Sequence, residues 1–562
     1  MRWTLKPKPE ENKVKDLAKV LNTSETIAYL LVQREIENYE DAKSFFRPSL
    51  KDLHNPFLMK DMDKAVSRIE KAITQKENIL IYGDYDVDGT TSVALMATFL
   101  EDFSENIITY IPDRYKEGYG ISFAGIDYAA KNKIDLIIAL DCGIKAIEKV
   151  EYAKEKNIDF IICDHHQPDE KIPDAIAVLN PKRPDCEYPF KELCGCGVGF
   201  KLIQAFTQNR KESFDKLIPY LDLVVTAIGA DIVPIIGENR ILAYHGLKVI
   251  NSKPRIGFQA IITQTKKKEL NITDVVFIIA PRINAAGRMN HALKAVDLLR
   301  ENNPKKAKML AKEIEIFNKN RKETDKKITA EALLQIKKNK EENHFSTVVF
   351  NPDWHKGVIG IVASRLTEDY YRPTLVFTES GNFLTASARS VKGFNIYNAL
   401  LKCKDFIEQF GGHKYAAGLS IKKSNYKKFK EKFEEVVSST IDEKLLKPEI
   451  RIDKKINLAK ITPKFYYTLK QFAPFGPGNM RPVFLSEEVN FYKNPKPIGK
   501  EKKHLKCFFQ VKDISTPLNA IGFNLGEKCT SIAGKSCDIV YSLDENTWNK
   551  KTTLQLKLRD LR

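Results

Sequence analysis

No stretch of this 562-residue chain approaches the ~18 consecutive apolar residues of a membrane-spanning helix, and the opening MRWTLKPKPEENK has no apolar leader core. A cytoplasmic protein, with no membrane partner, is expected. Cysteine is sparse: nine residues, an odd number, with Cys194 and Cys196 the closest pair. That pattern makes neither a disulfide framework nor a zinc ribbon, and leaves buried or idle reduced thiols. Acidic residues are outnumbered, 73 against 91 Lys and Arg, for a net charge of +18. The surplus is uneven, since residues 446–562 hold 22 Lys or Arg against 11 Asp or Glu. A basic end of this kind suggests a polyanion partner, nucleic acid first. The length implies three or four domains, and 43% hydrophobic with 29% charged residues is a soluble, globular composition.

One stretch organises the rest: ENILIYGDYDVDGTTSVALMATFLEDF, residues 77–103. Ile79 to Tyr82 form a short apolar run, a buried strand, and from Thr91 the apolar residues return at helical spacing. Asp84, Asp86 and Asp88 lie between them, where an open α/β sheet binds its ligands. Carboxylates this dense repel unless a cation joins them, and hard divalent ions suit oxygen ligands. DYDVDG also fits the opening of an EF-hand. The twelfth position, however, is Leu95 instead of a bidentate Glu, and a strand precedes the loop where a helix should.

Strand and helix signals then alternate through ITYIP, DLIIALDCG and FIICDHH, which predicts a parallel sheet covered on both faces. Asp141 ends one of these strands; Asp164, His165 and His166 end another. All carboxyl ends of a parallel sheet share one edge, so these groups can meet the first three acids. A further apolar segment, YLDLVVTAIGADIVPIIGENR, brings Asp231, followed by Asn239 and Arg240. Five or more carboxylates and one or two histidines are enough for two metal ions, the arrangement that serves phosphoester hydrolysis.

GDYDVDG, DCG, DHH and GADIVPIIGENR, in this order, resemble the DHH phosphoesterase superfamily. IPDRYKEGYG, VLNPKRPDCEYPFKELCGCGVGFKL, APRINAAGRM, WHKGVIGIVASRL, SARS, FGGHKYAAGL, APFGPGN and the ending LQLKLRDLR narrow the resemblance to the RecJ single-strand-specific exonucleases, nearly end to end. It implies metal ligands at Asp86, Asp88, Asp141, His165, His166 and Asp231, with Asp84 close by and with Asp141, His165 and His166 as catalytic residues. It implies two Mn²⁺ or Mg²⁺ ions and stepwise 5′→3′ removal of 5′-mononucleotides from single-stranded DNA, in repair and recombination. Arg114, Ser387 and Arg389 are the implied donors to a terminal phosphate, and Arg282 the contact to the entering strand. DCG stands where many relatives have DNG, but the ligand Asp141 is intact.

The implied fold is α/β: a parallel-sheet DHH domain (76–302) and a DHH-associated α/β domain (342–445) joined by a long helix (303–341). A helical lead-in (1–75) precedes them, and a C-terminal OB-like β-barrel (446–562) follows. Lys- and Glu-rich residues 303–341 carry apolar residues at helical intervals, with Asn318 and Arg321 as candidate strand contacts. In the second α/β domain a glycine-containing loop opening a helix offers N–H groups to a phosphate, with His355, Arg389 and His413 as side-chain donors. The tail's short strands, aromatics and lysines fit a single-strand grip, with Phe475, His504, Phe523 and Trp548 as candidate contacts. Deleting it is expected to weaken strand affinity yet leave short oligonucleotides cleavable. Single-stranded DNA is the expected partner, with a single-strand-binding protein and a helicase as further candidates, and the chain is expected to be a monomer. A small-substrate DHH phosphodiesterase and a non-catalytic DNA-binding scaffold are the alternatives.

Overall fold

A computed structural model describes every residue except 512, 513, 533, 549 and 550; of residues 514–516, 548 and 551 it describes the backbone alone. The chain forms two compact units. The larger comprises Trp3–Gly287, His291–Lys312 and Ile450–Arg562, and the smaller Met1–Arg2, Arg288–Asn290 and Glu313–Glu449.

In the larger unit, strands β1 (Ile79–Gly83), β2 (Ile107–Tyr110), β3 (Leu136–Leu140), β4 (Asp159–Cys163) and β5 (Ala177–Leu179) form an all-parallel sheet in the order β2-β1-β3-β4-β5. β1 and β3 are buried at every position, as continuous apolar runs covered on both faces must be. After β2 the chain crosses to the other side of β1, so the sheet's switch point lies between the carboxyl ends of β1 and β3. Those ends carry Asp84 and Asp141. Helix α1 (Val87–Leu100) is buried almost all round, which explains its lack of a polar face. Helices α2 (Gly195–Asn209) and α3 (Leu221–Ala230) pack against it, and α4 (Gly237–Ser252) packs on α3. A single helix, α5 (Pro304–Lys338), covers most of the segment expected to be helical.

The smaller unit holds β6 (Thr347–Phe350), helix α6 (Ile359–Tyr370), β7 (Thr374–Ser380), β8 (Phe383–Arg389), β9 (Gln409–His413) and β10 (Ala416–Lys422), with sheet order β9-β10-β8-β7-β6. Within that sheet only β6 and β7 pair in parallel. Asn318 and Asp325 of α5 are fully buried here, and Asp325 pairs with Arg365 at 2.7 Å. Asn318 therefore has no exposed surface, against the expectation that it touches a strand.

The C-terminal strands return to the larger unit: β11 (Lys454–Lys455), β12 (Phe484–Val489), β13 (Phe491–Ile498), β14 (His504–Val511), β15 (Ile514–Gly522), β16 (Cys537–Trp548) and β17 (Lys551–Leu561), in the order β11-β12-β16-β17-β15-β14-β13. Their core is shared with the N-terminal helices: Leu17, Ile27, Leu31 and Phe45 belong to one apolar cluster with Phe472, Phe484, Leu505, Tyr541 and Leu556. This corrects the expectation of a separable tail, because its removal strips the lead-in of the surface it folds against. Among the tail aromatics, Phe475 packs on that core, with Arg481 over its ring. His504 and Phe523 meet edge to face at 5.2 Å, and Phe523 stays half-exposed. The Trp548 side chain lies outside the described residues.

Candidate metal centre

The turn after β1 is built around two glycines. A Cβ on Gly89 would lie 2.3 Å from the Asp84 carbonyl oxygen, and one on Gly83 2.4 Å from Val93 Cγ2, so the turn closes only without side chains there. Asp86 caps α1, its Oδ1 accepting from Gly89 N at 3.0 Å. Asp84 is fully buried; Gly120 N reaches its Oδ1 at 3.4 Å, and Oδ2 has no hydrogen-bond partner among the described residues. Asp88 accepts from Gly195 N (2.6 Å) and Cys196 N (2.7 Å), the first amides of α2. Two N–H donors at a helix N-terminus fix an anion.

Asp141 takes a left-handed backbone, φ +60°, which turns the chain sharply as it leaves β3. Its Oδ1 lies 3.2 Å from His165 Nε2, and Asp231 Oδ2 lies 3.6 Å from the same nitrogen. Asp231 sits at the C-terminus of α3, with 29% of its side chain exposed. Candidate ligand atoms of Asp141, His165 and His166, and separately of Asp88, His165 and Asp231, lie within 4.8 Å of one another.

The acid of the DHH run has a different task. Asp164 is buried; Oδ1 accepts from the backbone N–H groups of His165 and His166 and bonds His166 Nδ1 at 2.7 Å, while Oδ2 accepts from Ile144 N. It therefore orients His166 with Nε2 outward, as carboxylates behind metal-bound histidines do. Tyr119 OH lies 3.2 Å from that Nε2.

The charges of the cluster repel one another, which favours a cation among them. Burial, then the charge of Asp86, lifts Asp88 to about 7, and burial followed by Asp88 lifts Asp231 to about 8. Asp84 and Asp141 are pushed well above the ordinary carboxylate range, first by burial and then by neighbouring acids. Burial and the nearby His166 pull His165 down to about 3, so it is a neutral, ligand-competent imidazole. Burial also opposes charge on His166, but Asp164, Asp231 and Asp88 raise it to about 9. Asp164 would rise on burial, yet its bonds to His166 hold it near 2. The buried Asp84 Oδ2, Asp141 Oδ1 and His165 Nε2 have no hydrogen-bond partner among the described residues, and Asp141 and His165 belong to a set that could hold a divalent cation. Oxygen-rich ligands with imidazole nitrogens fit Mn²⁺ or Mg²⁺.

The residues expected to bind substrate divide between the units. In the larger, Arg114 lies over the Tyr85 ring at 4.6 Å, and Arg282 donates to the Ile278 carbonyl at 2.7 Å. In the smaller, Ser387 and Arg389 converge on α6. A Cβ on Gly360, in its first turn, would lie 3.2 Å from Arg389 Nη2 and 3.3 Å from Ser387 Oγ. His355 Nδ1 accepts from Gly357 N in the loop before that helix. Burial lowers the His413 pKa, and Arg389 pushes it the same way. Sequence reasoning left out Gly195, Cys196 and Tyr119. Glycines opening a helix within CGCGVGF were the available signal for the first two.

Residues 78–228 match the DHH family, N-terminal domain; residues 342–439 match the DHHA1 domain and residues 452–560 the RecJ OB domain. The chain is 37% identical over 565 residues to the single-stranded-DNA-specific exonuclease RecJ of Bacillus subtilis, a match covering all of this chain and 70% of that one. It is 33% identical to the Haemophilus influenzae exonuclease of the same name, over 90% of this chain and 92% of the relative. The crystal structure of RecJ with Mn²⁺ from Thermus thermophilus superposes with a TM-score of 0.86 at 26% identity, covering all of this chain and 79% of that one.

Proposed function

The chain belongs to the RecJ family of single-stranded-DNA-specific exonucleases, and from that premise we infer that it is a metal-dependent 5′→3′ exonuclease releasing 5′-mononucleotides from single-stranded DNA, in repair and recombination. One observation carries the reading: ligand atoms of Asp141, His165 and His166, and of Asp88, His165 and Asp231, lie within 4.8 Å of one another in two sets that share His165, while Asp84 and Asp86 fall in neither.

On this reading Asp86, Asp88, Asp141, His165, His166 and Asp231 hold two Mn²⁺ or Mg²⁺ ions, with Asp84 beside them. Bound there, the ions supply an activated water and steady the charge growing on the phosphate. The chain's own residues do the rest. Neutral His165 presents its lone pair between Asp141, Asp88 and Asp231; Asp164 orients His166; the amides of Gly195 and Cys196 fix the Asp88 carboxylate and oppose the rise of its pKa. Ser387 Oγ and the Arg389 guanidinium, beside the N-terminus of α6, hold the terminal 5′-phosphate, and His355 and His413 flank them. Arg114 is a further phosphate donor, and Arg282 contacts the entering strand. The basic β-module grips the strand beyond the cleaved bond. The protein works as a monomer in the cytoplasm, with a single-strand-binding protein and a helicase as partners.

A small-substrate phosphodiesterase would leave the module at 452–560 without a task, and a non-catalytic scaffold would have no use for the acids. The test is a time course on 5′-labelled and 3′-labelled single-stranded oligonucleotides, with duplex controls, in Mn²⁺, Mg²⁺ or EDTA. Labelled mononucleotide should come first from the 5′ label, on single strands, with either metal. First release from the 3′ label, or cleavage in EDTA, would refute the reading.

A further inference from the structure

Two motifs have no part in that chemistry: the GENR that follows the Asp231 loop and the distant APFGPGN. In the larger unit they pack on each other. Ile235 N donates to the Pro477 carbonyl at 2.7 Å. A Cβ on Gly476 would lie 2.5 Å from Ile235 Cγ1, and one on Gly478, at φ +74°, 2.9 Å from Ile236 Cγ2. The turn fits only because both are glycine. It is closed by reciprocal backbone bonds between Gly476 and Asn479. Asn479, buried, donates to the Phe472 and Pro474 carbonyls and accepts from Arg34 Nε at 2.9 Å.

Arg240 completes the junction. Its buried guanidinium makes five bonds, all to backbone carbonyls: those of Phe472, Ala473 and Pro474 on one side and, twice, Phe45 on the other. The side chains just before it tie down the same loop. Glu238 accepts from Lys201 Nζ (3.0 Å) and Tyr188 OH (2.5 Å), and Asn239 donates to the Glu192 and Pro234 carbonyls. Inside this frame Ile232, next to Asp231, holds φ +61° while 64% exposed. A β-branched residue in the left-handed region is strained and persists only where its surroundings impose it.

We propose that residues 472–479, within the C-terminal module, brace the 232–240 loop and thereby set the position of Asp231, making Gly476 and Arg240 positioning residues of the metal centre. The proposal rests on the reading of Asp231 as a ligand. It gives the C-terminal module a role in metal binding besides its role in gripping the strand.

The test is Mn²⁺ titration of the full-length protein, followed by calorimetry and by the electron paramagnetic resonance of free Mn²⁺. Asp231→Ala should weaken binding about tenfold or more, and Gly476→Ala, which drives a methyl into Ile235, by about tenfold, the lower end for residues that orient a ligand. Adding Ile235→Ala to Gly476→Ala removes the clashing Cγ1 and should restore affinity to within about threefold of the parent. In an Asp231→Ala background, Gly476→Ala should change nothing. Arg240→Lys keeps the charge but cannot span three carbonyls; it is read the same way and serves if Gly476→Ala does not fold. If Asp231→Ala weakens binding and the brace variants do not, or if they weaken it equally without Asp231, the brace is refuted. If Asp231→Ala itself has no effect, the ligand assignment falls, and the brace with it.

Discussion

A methyl group on Gly195 would sit 2.5 Å from Asp141 Cβ and 2.6 Å from its Oδ1, in a packed interior that cannot yield. Gly195→Ala therefore has to move a ligand, and we expect a loss of hydrolysis of about a hundredfold with single-strand binding unchanged, measured by nuclease assay and fluorescence anisotropy. The crowded carboxylates also set a pH dependence. An acid whose pKa rises from 3.8 in the unfolded chain to about 7 (Asp88) or 8 (Asp231) in the folded one favours folding fully below pH 4, and that contribution is gone above pH 8. With EDTA present, Tm should fall between pH 5 and 8. Mn²⁺ relieves the repulsion but competes with protons, so the Tm gain from Mn²⁺ should be larger at pH 8 than at pH 6. A gain independent of pH would contradict the raised acids.

At the scale of elements, β8 and α6 act together. Arg389→Ala is expected to abolish a preference for 5′-phosphate over 5′-hydroxyl ends while changing cleavage of the hydroxyl substrate little. An equal fall on both substrates would make Arg389 a structural residue. Much of this layer was legible beforehand. The core strands are uninterrupted apolar runs, and an acid or histidine at each strand end has one edge to share, so Asp84, Asp86, Asp88, Asp141, His165 and His166 could be read from local pattern alone. The clamp of Gly195 and Cys196 on Asp88 could not be, since it joins positions more than a hundred residues apart: the glycines that open the helix mark free amides but not the carboxylate they meet. Asp164 could be located but not its task, because only the geometry shows it turned toward His166.

Over the whole molecule, the lead-in helices and the C-terminal strands share one core, although they stand at opposite ends of the chain. Amphipathic spacing tells that a helix face is buried but not against what, so this partnership was invisible in the sequence. Deleting residues 446–562 should consequently give a chain that aggregates and lacks cooperative unfolding by calorimetry, instead of a working nuclease for short substrates. The strand grip is better tested on the exposed Lys493, Lys496 and Lys506. Changing all three to Gln should weaken single-strand affinity and flatten the slope of log affinity against log salt by about 0.7 for each phosphate no longer neutralised. Cleavage of short oligonucleotides should persist.

The most direct measurement compares Asp141→Ala with the parent on 5′-labelled single-stranded DNA in Mn²⁺, with strand binding followed in parallel. Asp141 shares its carboxylate with His165 at the meeting point of the cluster. Hydrolysis should vanish while binding, which comes from distant basic groups, stays within a fewfold. Losing a ligand of this kind costs several kcal/mol of barrier, and each ~1.4 kcal/mol is tenfold in rate. A variant retaining more than about a tenth of the parent rate would contradict hydrolysis at this metal centre.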